Sequence, residues 1–156
     1  MNQHEILKMT PGRDLDIKVA TEVMGYIWLK HLLQFSAELA VKWLGTAAEL
    51  KESCGMYVPV PDSIFVALKE RENHAESVLN FSTDMGAAHQ VIARMKDLGY
   101  EYHLQTKMEQ GADVYYVCFQ EPGSLLEKAF IGFSALPEAI VKGALTVASG
   151  GIIEKA

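Results

Sequence analysis

Residues 81–119, FSTDMGAAHQVIARMKDLGYEYHLQTKMEQGADVYYVCF, decide the fold, because a helical pattern in this stretch passes directly into a strand pattern. Over 85–98, apolar residues recur with the 3.6-residue period of one helix face, and Gly99 ends that helix. We expect Ser82 or Thr83 to be its N-cap, because a hydroxyl there accepts hydrogen bonds from the first N–H groups of a helix.

A hairpin is predicted after this helix. Residues 100–105 alternate tyrosine and leucine with polar side chains, which is typical of a half-buried strand. A turn over 109–113, with a loop of about five residues, joins that strand to a second one at 114–119. The pattern then predicts a third strand at 130–133 and a closing helix over 137–148.

The N-terminal part begins with a well-marked helix start. Thr10 is the predicted N-cap and Pro11 the first helical residue, where no N–H is needed. We expect a helix over 11–24 that Gly25 ends, followed directly by a strand over 26–31.

Residues 32–51 form a helical pattern that is apolar on more than one face. Such a helix must be buried twice, by a second layer or by a second subunit. Beyond it, 57–61 is predicted to be extended because of its two prolines, and 64–68 is a candidate strand.

The composition is that of one soluble domain. The chain has 156 residues, with 14 Lys and Arg against 20 Asp and Glu, for a net charge of −6. This balance argues against a nucleic-acid polymer as partner, because such binding needs clustered Lys and Arg. We expect no signal peptide and no membrane span. Cys54 and Cys118 are predicted to be free thiols, so the expected location is a reducing cytoplasm.

The order helix, insertion, strand, helix, three strands, helix is typical of an α+β protein. We expect a layered helix–sheet–helix sandwich around a small, mostly antiparallel sheet, with a helical insertion, since this arrangement buries each apolar stripe. No repeat or low-complexity linker interrupts the chain, so residues 1–156 are predicted to form a single domain.

Three segments in combination resemble a known family. They are residues 11–25 (PGRDLDIKVATEVMG), 81–92 (FSTDMGAAHQVI) and 135–145 (ALPEAIVKGAL). In order and spacing they are similar to the phage ABA sandwich domain family of small phage and prophage proteins. The resemblance implies a layered helix–sheet–helix fold and an origin in a phage genome. It transfers no catalytic residue.

The chain departs from that family pattern in two ways. Residues 26–79 are longer than the usual connection, so they are expected to be an insertion relative to the family core. His89 stands where a large aromatic residue is expected. A special function is therefore expected to lie in the insertion.

The candidate ligand-binding residues begin with Ser82 and Thr83. The N–H groups of a helix start attract anions, and hydroxyls there can donate to phosphate oxygens. The alternative is a simple N-cap. Arg13, at the other helix start, could neutralise an anionic ligand or pair with a nearby carboxylate.

Trp28 and Tyr57 complete the aromatic part of the candidate site, since their rings could stack on a base. His89 with Asp84 could make an acid–base pair, although five positions do not align two side chains on a helix. A surface or partly buried histidine is the alternative for His89.

The motifs of metal and cofactor chemistry are missing from the sequence. Its five histidines include no pair three or four apart, and no HExxH, CxxC or Gly-rich phosphate loop occurs. We therefore predict no metal, no cofactor and no enzymatic activity.

These expectations combine into a first hypothesis, a phage-encoded binding protein of the host cytoplasm. It would sequester a small host nucleotide signal in pockets of a homo-oligomer, as a counter to host defence. A second hypothesis is a protein-interaction module that binds and inhibits a partner through the 32–50 helix. A third is an enzyme that degrades a signalling nucleotide with His89 or His103.

Overall fold

The computed structural model describes residues 3–31, 42–60, 78–124 and 131–148. The chain divides into two compact units, Met1–Met24 with Asn80–Ala156, and Gly25–Leu79. The segment 26–79, predicted to be an insertion, falls in the second unit. The described elements are, in chain order, α1 (Gln3–Lys8), α2 (Arg13–Glu22), β1 (Ile27–His31), β2 (Lys42–Gly45), α3 (Ala47–Glu52), β3 (Tyr57–Pro59), α4 (Met85–Asp97), β4 (Glu101–Glu109), β5 (Ala112–Gln120), β6 (Ile131–Phe133) and α5 (Leu136–Ala148).

The first unit is built around α5. Its residues from Ala139 to Thr146 are all buried, so the helix is covered around its whole circumference. One side contacts β5 and β6, and other sides contact α1, α2 and α4. The sheet that α5 covers has the order β4-β5-β6 and is antiparallel throughout. Val117 and Phe119 of β5 are buried, and a Cβ at Gly143 of α5 would lie 3.4 Å from Val117 Cγ1.

The second unit holds a separate antiparallel sheet of order β2-β1-β3. Leu29 of the central strand lies opposite both Trp43 and Pro59. The rings of Trp43 and Tyr57 meet edge to face, with centroids 4.7 Å apart. Helices and two small antiparallel sheets together make this an α+β protein, which confirms the predicted class.

The predicted helix over 32–51 is wrong for its middle part. Lys42–Gly45 is a strand, paired with β1, and the following α3 starts only at Ala47. Thr46 separates the two, because its side chain accepts from the Glu49 N–H and so caps α3. Pairing with β1 therefore determines the conformation of these four residues, although the apolar residues of the segment follow a helical spacing. Residues 32–41 and the candidate strand at 64–68 lie outside the described residues.

The other predicted elements agree with the structure except at their ends, and α1 (Gln3–Lys8) is a helix that was not predicted. α2 begins at Arg13, two residues later than predicted, with Gly12 as the N-cap and no side-chain capping bond. The β4–β5 loop has two residues, Gln110 and Gly111, rather than about five. Both have positive φ, 52° and 80°, as in a type I′ turn.

Candidate functional site

Two segments far apart in the sequence meet in the first unit, and we call their meeting point the 12–16/80–84 junction. Asp16 of α2 is 1% exposed and accepts two hydrogen bonds from Ser82. The Ser82 backbone N–H and hydroxyl each donate to Asp16 Oδ1 over 2.7 Å. The Gly12 N–H in turn donates to Ser82 Oγ over 2.9 Å. The start of α2 is thereby fastened to the segment that precedes α4.

Burial and hydrogen bonding act in opposite directions on Asp16. Burial raises the pKa of this carboxyl above its ordinary value, because a low dielectric disfavours the charged form. The two hydrogen bonds from Ser82 and the charge of Arg13 act to lower the pKa but do not outweigh burial. Asp16 therefore keeps its proton to a higher pH than an exposed aspartate does.

Arg13 lies on the accessible side of the junction. Its Nη1 is 3.6 Å from Asp16 Oδ2 and donates to Asn80 Oδ1 over 3.2 Å. About a third of its side chain is exposed, 31% against 1% for Asp16. Two partners thus orient the guanidinium while part of it stays in contact with solvent.

The helix that follows the junction is capped by a residue other than those predicted. Asp84, and neither Ser82 nor Thr83, is the N-cap of α4, and its Oδ2 accepts from the Ala87 N–H over 2.9 Å. Ser82 is 1% exposed and both of its donors are engaged within the protein. Thr83, in contrast, is exposed. Of these two residues, only Thr83 is exposed.

The predicted ligand-binding residues therefore divide into two groups. Arg13 and Ser82 lie at the junction, where Arg13 donates to Asn80 and Ser82 accepts from Gly12, and Thr83 follows Ser82 in the same segment. Trp28 and Tyr57 belong to the second unit, where Trp28 is buried and Tyr57 half-buried. His89 is exposed on α4, five positions after the capping Asp84.

The hairpin carries the other histidine considered for catalysis. His103 Nε2 lies 3.4 Å from Glu101 Oε2, which permits an ion pair when the imidazole is protonated, although the two are not aligned for a hydrogen bond. Within the described ranges, no three His, Cys, Asp or Glu side chains are grouped so as to hold a metal ion.

Asn80 was missed by reasoning from the sequence, although it orients Arg13. The feature that could have indicated Asn80 is its position beside the FSTD segment. The chain turns there, since the Thr83 and Asp84 N–H groups both donate to the Asn80 carbonyl. Asn is common in such turns, but its side-chain partner 67 positions away leaves no local pattern.

Lys142 was also missed, because its neighbours make α5 look uniformly apolar. Its side chain is 2% exposed, and Nζ donates to the Leu7 carbonyl over 3.0 Å. The same atom lies 3.4 Å from Glu138 Oε1 and 4.3 Å from the centre of the Phe133 ring. A lysine four positions after a glutamate in an apolar helix is the pattern that could have revealed this pair.

No protein-family model matches the chain, and comparison with curated proteins and with solved structures gave no match either. The resemblance of the three segments to the phage ABA sandwich domain family stays a prediction. Among the described residues, no helix combines the length and the apolar character needed to cross a membrane.

Proposed function

We propose that this protein is a non-enzymatic binding protein that captures a small anionic ligand of the nucleotide class at the 12–16/80–84 junction. Arg13 supplies the positive charge and Thr83 a hydroxyl donor, while Ser82 holds the two segments together. The exposed His89 of the same unit is kept as a further candidate contact, and a role for Trp28 and Tyr57 of the second unit stays a separate prediction.

The observation that supports this proposal best is the orientation of Arg13. A guanidinium held by Asn80 and Asp16 loses little conformational freedom when it binds an anion, so more of the interaction energy remains for affinity.

The biological setting belongs to the same proposal and is supported by the sequence resemblance. As a phage-encoded protein, the chain would act in the host cytoplasm and sequester a nucleotide signal of host defence. A homo-oligomer would supply the remaining walls of a closed pocket, because one small domain offers few deep concave surfaces.

Binding can be measured by isothermal titration of the protein with a panel of cyclic nucleotides and ADP-ribose-type nucleotides. We expect at least one member to bind and to be recovered chemically intact after the protein is denatured. Arg13→Gln should weaken that binding about tenfold or more, since a charge-assisted hydrogen bond contributes about 1.5–3 kcal/mol.

Lys18→Gln is the matched control for charge, since Lys18 lies on the same helix and is similarly exposed, at 25% of its side chain. Thr83→Val tests the hydroxyl without changing the shape of the side chain. Equal affinities of the Arg13 and Lys18 variants would contradict binding at the junction. Failure of the whole panel to bind would contradict the ligand class, and recovery of an altered nucleotide would point to an enzyme.

A further inference from the structure

β4 is the exposed edge of the sheet in the first unit. Among the described strands it pairs only with β5, and its residues from Leu104 to Glu109 are all exposed. Two of these are large apolar side chains, with Leu104 42% and Met108 76% exposed. A long exposed edge that carries apolar residues can pair with another strand, and proteins commonly protect against such pairing.

The hairpin turn determines which backbone groups of β4 point outward. In a two-residue type I′ loop, the flanking pair, here Glu109 and Ala112, exchanges both backbone hydrogen bonds. Such pairs alternate along an antiparallel ladder, so odd-numbered residues of β4 bond to β5. The N–H and C=O groups of the even-numbered residues, including Leu104 and Met108, are therefore directed away from β5.

We propose that a second copy of this chain pairs with this edge, β4 against β4, antiparallel, with Leu104 on the two-fold axis. Outward-directed groups then meet outward-directed groups, because Leu104 faces its own counterpart and Tyr102 faces Thr106. The β4-β5-β6 sheet of one copy and that of the other then form one continuous six-stranded sheet.

Charge complementarity favours this register over the one that puts Gln105 on the axis. With Leu104 on the axis, Glu101 of each copy lies opposite Lys107 of the other, which gives two cross-strand pairs of opposite charge. A shift that puts Gln105 on the axis instead opposes Glu101 with Glu109, two like charges. The chain's net charge of −6 opposes association of two copies, and these two pairs offset part of that repulsion.

The same register covers the exposed apolar side chains. Leu104 meets Leu104 of the second copy, and Met108 comes opposite Tyr100, which is half-buried in the isolated chain. Thioether–aromatic contacts of this kind are favourable. The dimer gives the proposed oligomer a specific surface but does not depend on a ligand, so each proposal can fail without the other.

Disulfide trapping of variants with one exposed cysteine tests the register, since the remaining Cys118 is buried. Exposed Cys54 is first changed to Ser, and Leu104→Cys, Gln105→Cys and Thr106→Cys are then compared in the full-length protein. Paired residues of a ladder have Cα atoms about 5.5 Å apart, within the range of a disulfide, whereas two Thr106 residues are displaced by four positions in this register. Mild oxidation should cross-link Leu104→Cys fastest and Thr106→Cys slowest, with a 104–104 disulfide identified by mass spectrometry.

Folding of each variant is checked by near-ultraviolet circular dichroism, and sedimentation equilibrium of the unmodified chain gives its mass. A concentration-dependent dimer together with fastest cross-linking at 104 supports the proposal. A monomer at all concentrations, fastest cross-linking at 105 or 106, or equal rates at all three positions would overturn it.

Discussion

Asp16 shows at the scale of a single residue how a buried acid can connect two segments at a cost in stability. Its carboxyl accepts both donors of Ser82, yet burial raises its pKa and so disfavours the charged form. When folding raises the pKa of an acid, the contribution of that acid to the free energy of unfolding is greatest below its pKa in the unfolded chain. This contribution falls as pH rises from the pKa of the acid in the unfolded chain to its pKa in the folded chain.

Asp16→Asn should remove this pH dependence while keeping an acceptor for Ser82. The free energy of unfolding of the unmodified chain should fall relative to that of the variant as pH rises from about 4. Urea unfolding of both proteins at a series of pH values measures the difference. Asp14→Asn is the control for loss of a carboxylate from the same helix turn. Parallel curves for the unmodified chain and Asp16→Asn would contradict the assignment.

Lys142 is the second residue at which a buried charge organises the first unit, since it connects α5 to α1 through the Leu7 carbonyl. Lys142→Met keeps most of the apolar volume but leaves Glu138 and Leu7 without this donor. We expect a loss of about 3 kcal/mol, the lower part of the range for a broken buried pair, because Glu138 keeps some contact with water.

The chain contains a matched control for this variant. Lys18 and Glu22 form an ion pair with the same four-residue spacing, but their side chains are 25% and 32% exposed. Lys18→Met should therefore cost less than about 1 kcal/mol in the same denaturant titration. Equal losses for the two variants would show that burial of Lys142 does not determine its contribution.

At the scale of elements, the sequence predicted those with a long and regular pattern. The helix over 85–98 and the hairpin after it lie where periodicity placed them, because one face of each packs against the rest of the unit. The strand at Lys42–Gly45 was missed, because its pairing with β1 is not local and four residues carry little pattern. The N-cap of α4 was misplaced for a related reason: Ser82 bonds instead to Asp16, a partner 66 positions away.

The packing of α5 against β5 can be tested at Gly143. A Cβ at Gly143 would lie 3.4 Å from Val117 Cγ1 and 3.5 Å from Phe119 Cδ2, which leaves room for one methyl group. Gly143→Ala should therefore stabilise the protein by about 0.5–1 kcal/mol through helix propensity. Gly143→Leu should destabilise it by about 1–3 kcal/mol, because its side chain must displace β5. Thermal unfolding should move in opposite directions for the two variants, and a lower midpoint for both would contradict this spacing.

At the scale of the whole molecule, the net charge of −6 opposes association, whereas the charge pattern of β4 favours one register of it. For the candidate site, too, the residue types can be read from the sequence, but their contacts cannot. The sequence identified Arg13, Ser82 and Thr83 as candidates, but only the fold brings Asn80 to Arg13 and directs Ser82 inward.

Charge reversal on β4 separates the two effects. Glu101→Lys changes the net charge from −6 to −4, Lys107→Glu changes it to −8, and the double variant restores −6. If net charge determines association, Glu101→Lys should strengthen the dimer and Lys107→Glu should weaken it. If the proposed cross-strand pairs determine it, each single reversal places like charges opposite each other and should weaken the dimer about tenfold, and the double variant should recover the original affinity. Sedimentation equilibrium at low salt measures all four dissociation constants, and a double variant as weak as either single one would contradict the pairing of Glu101 with Lys107.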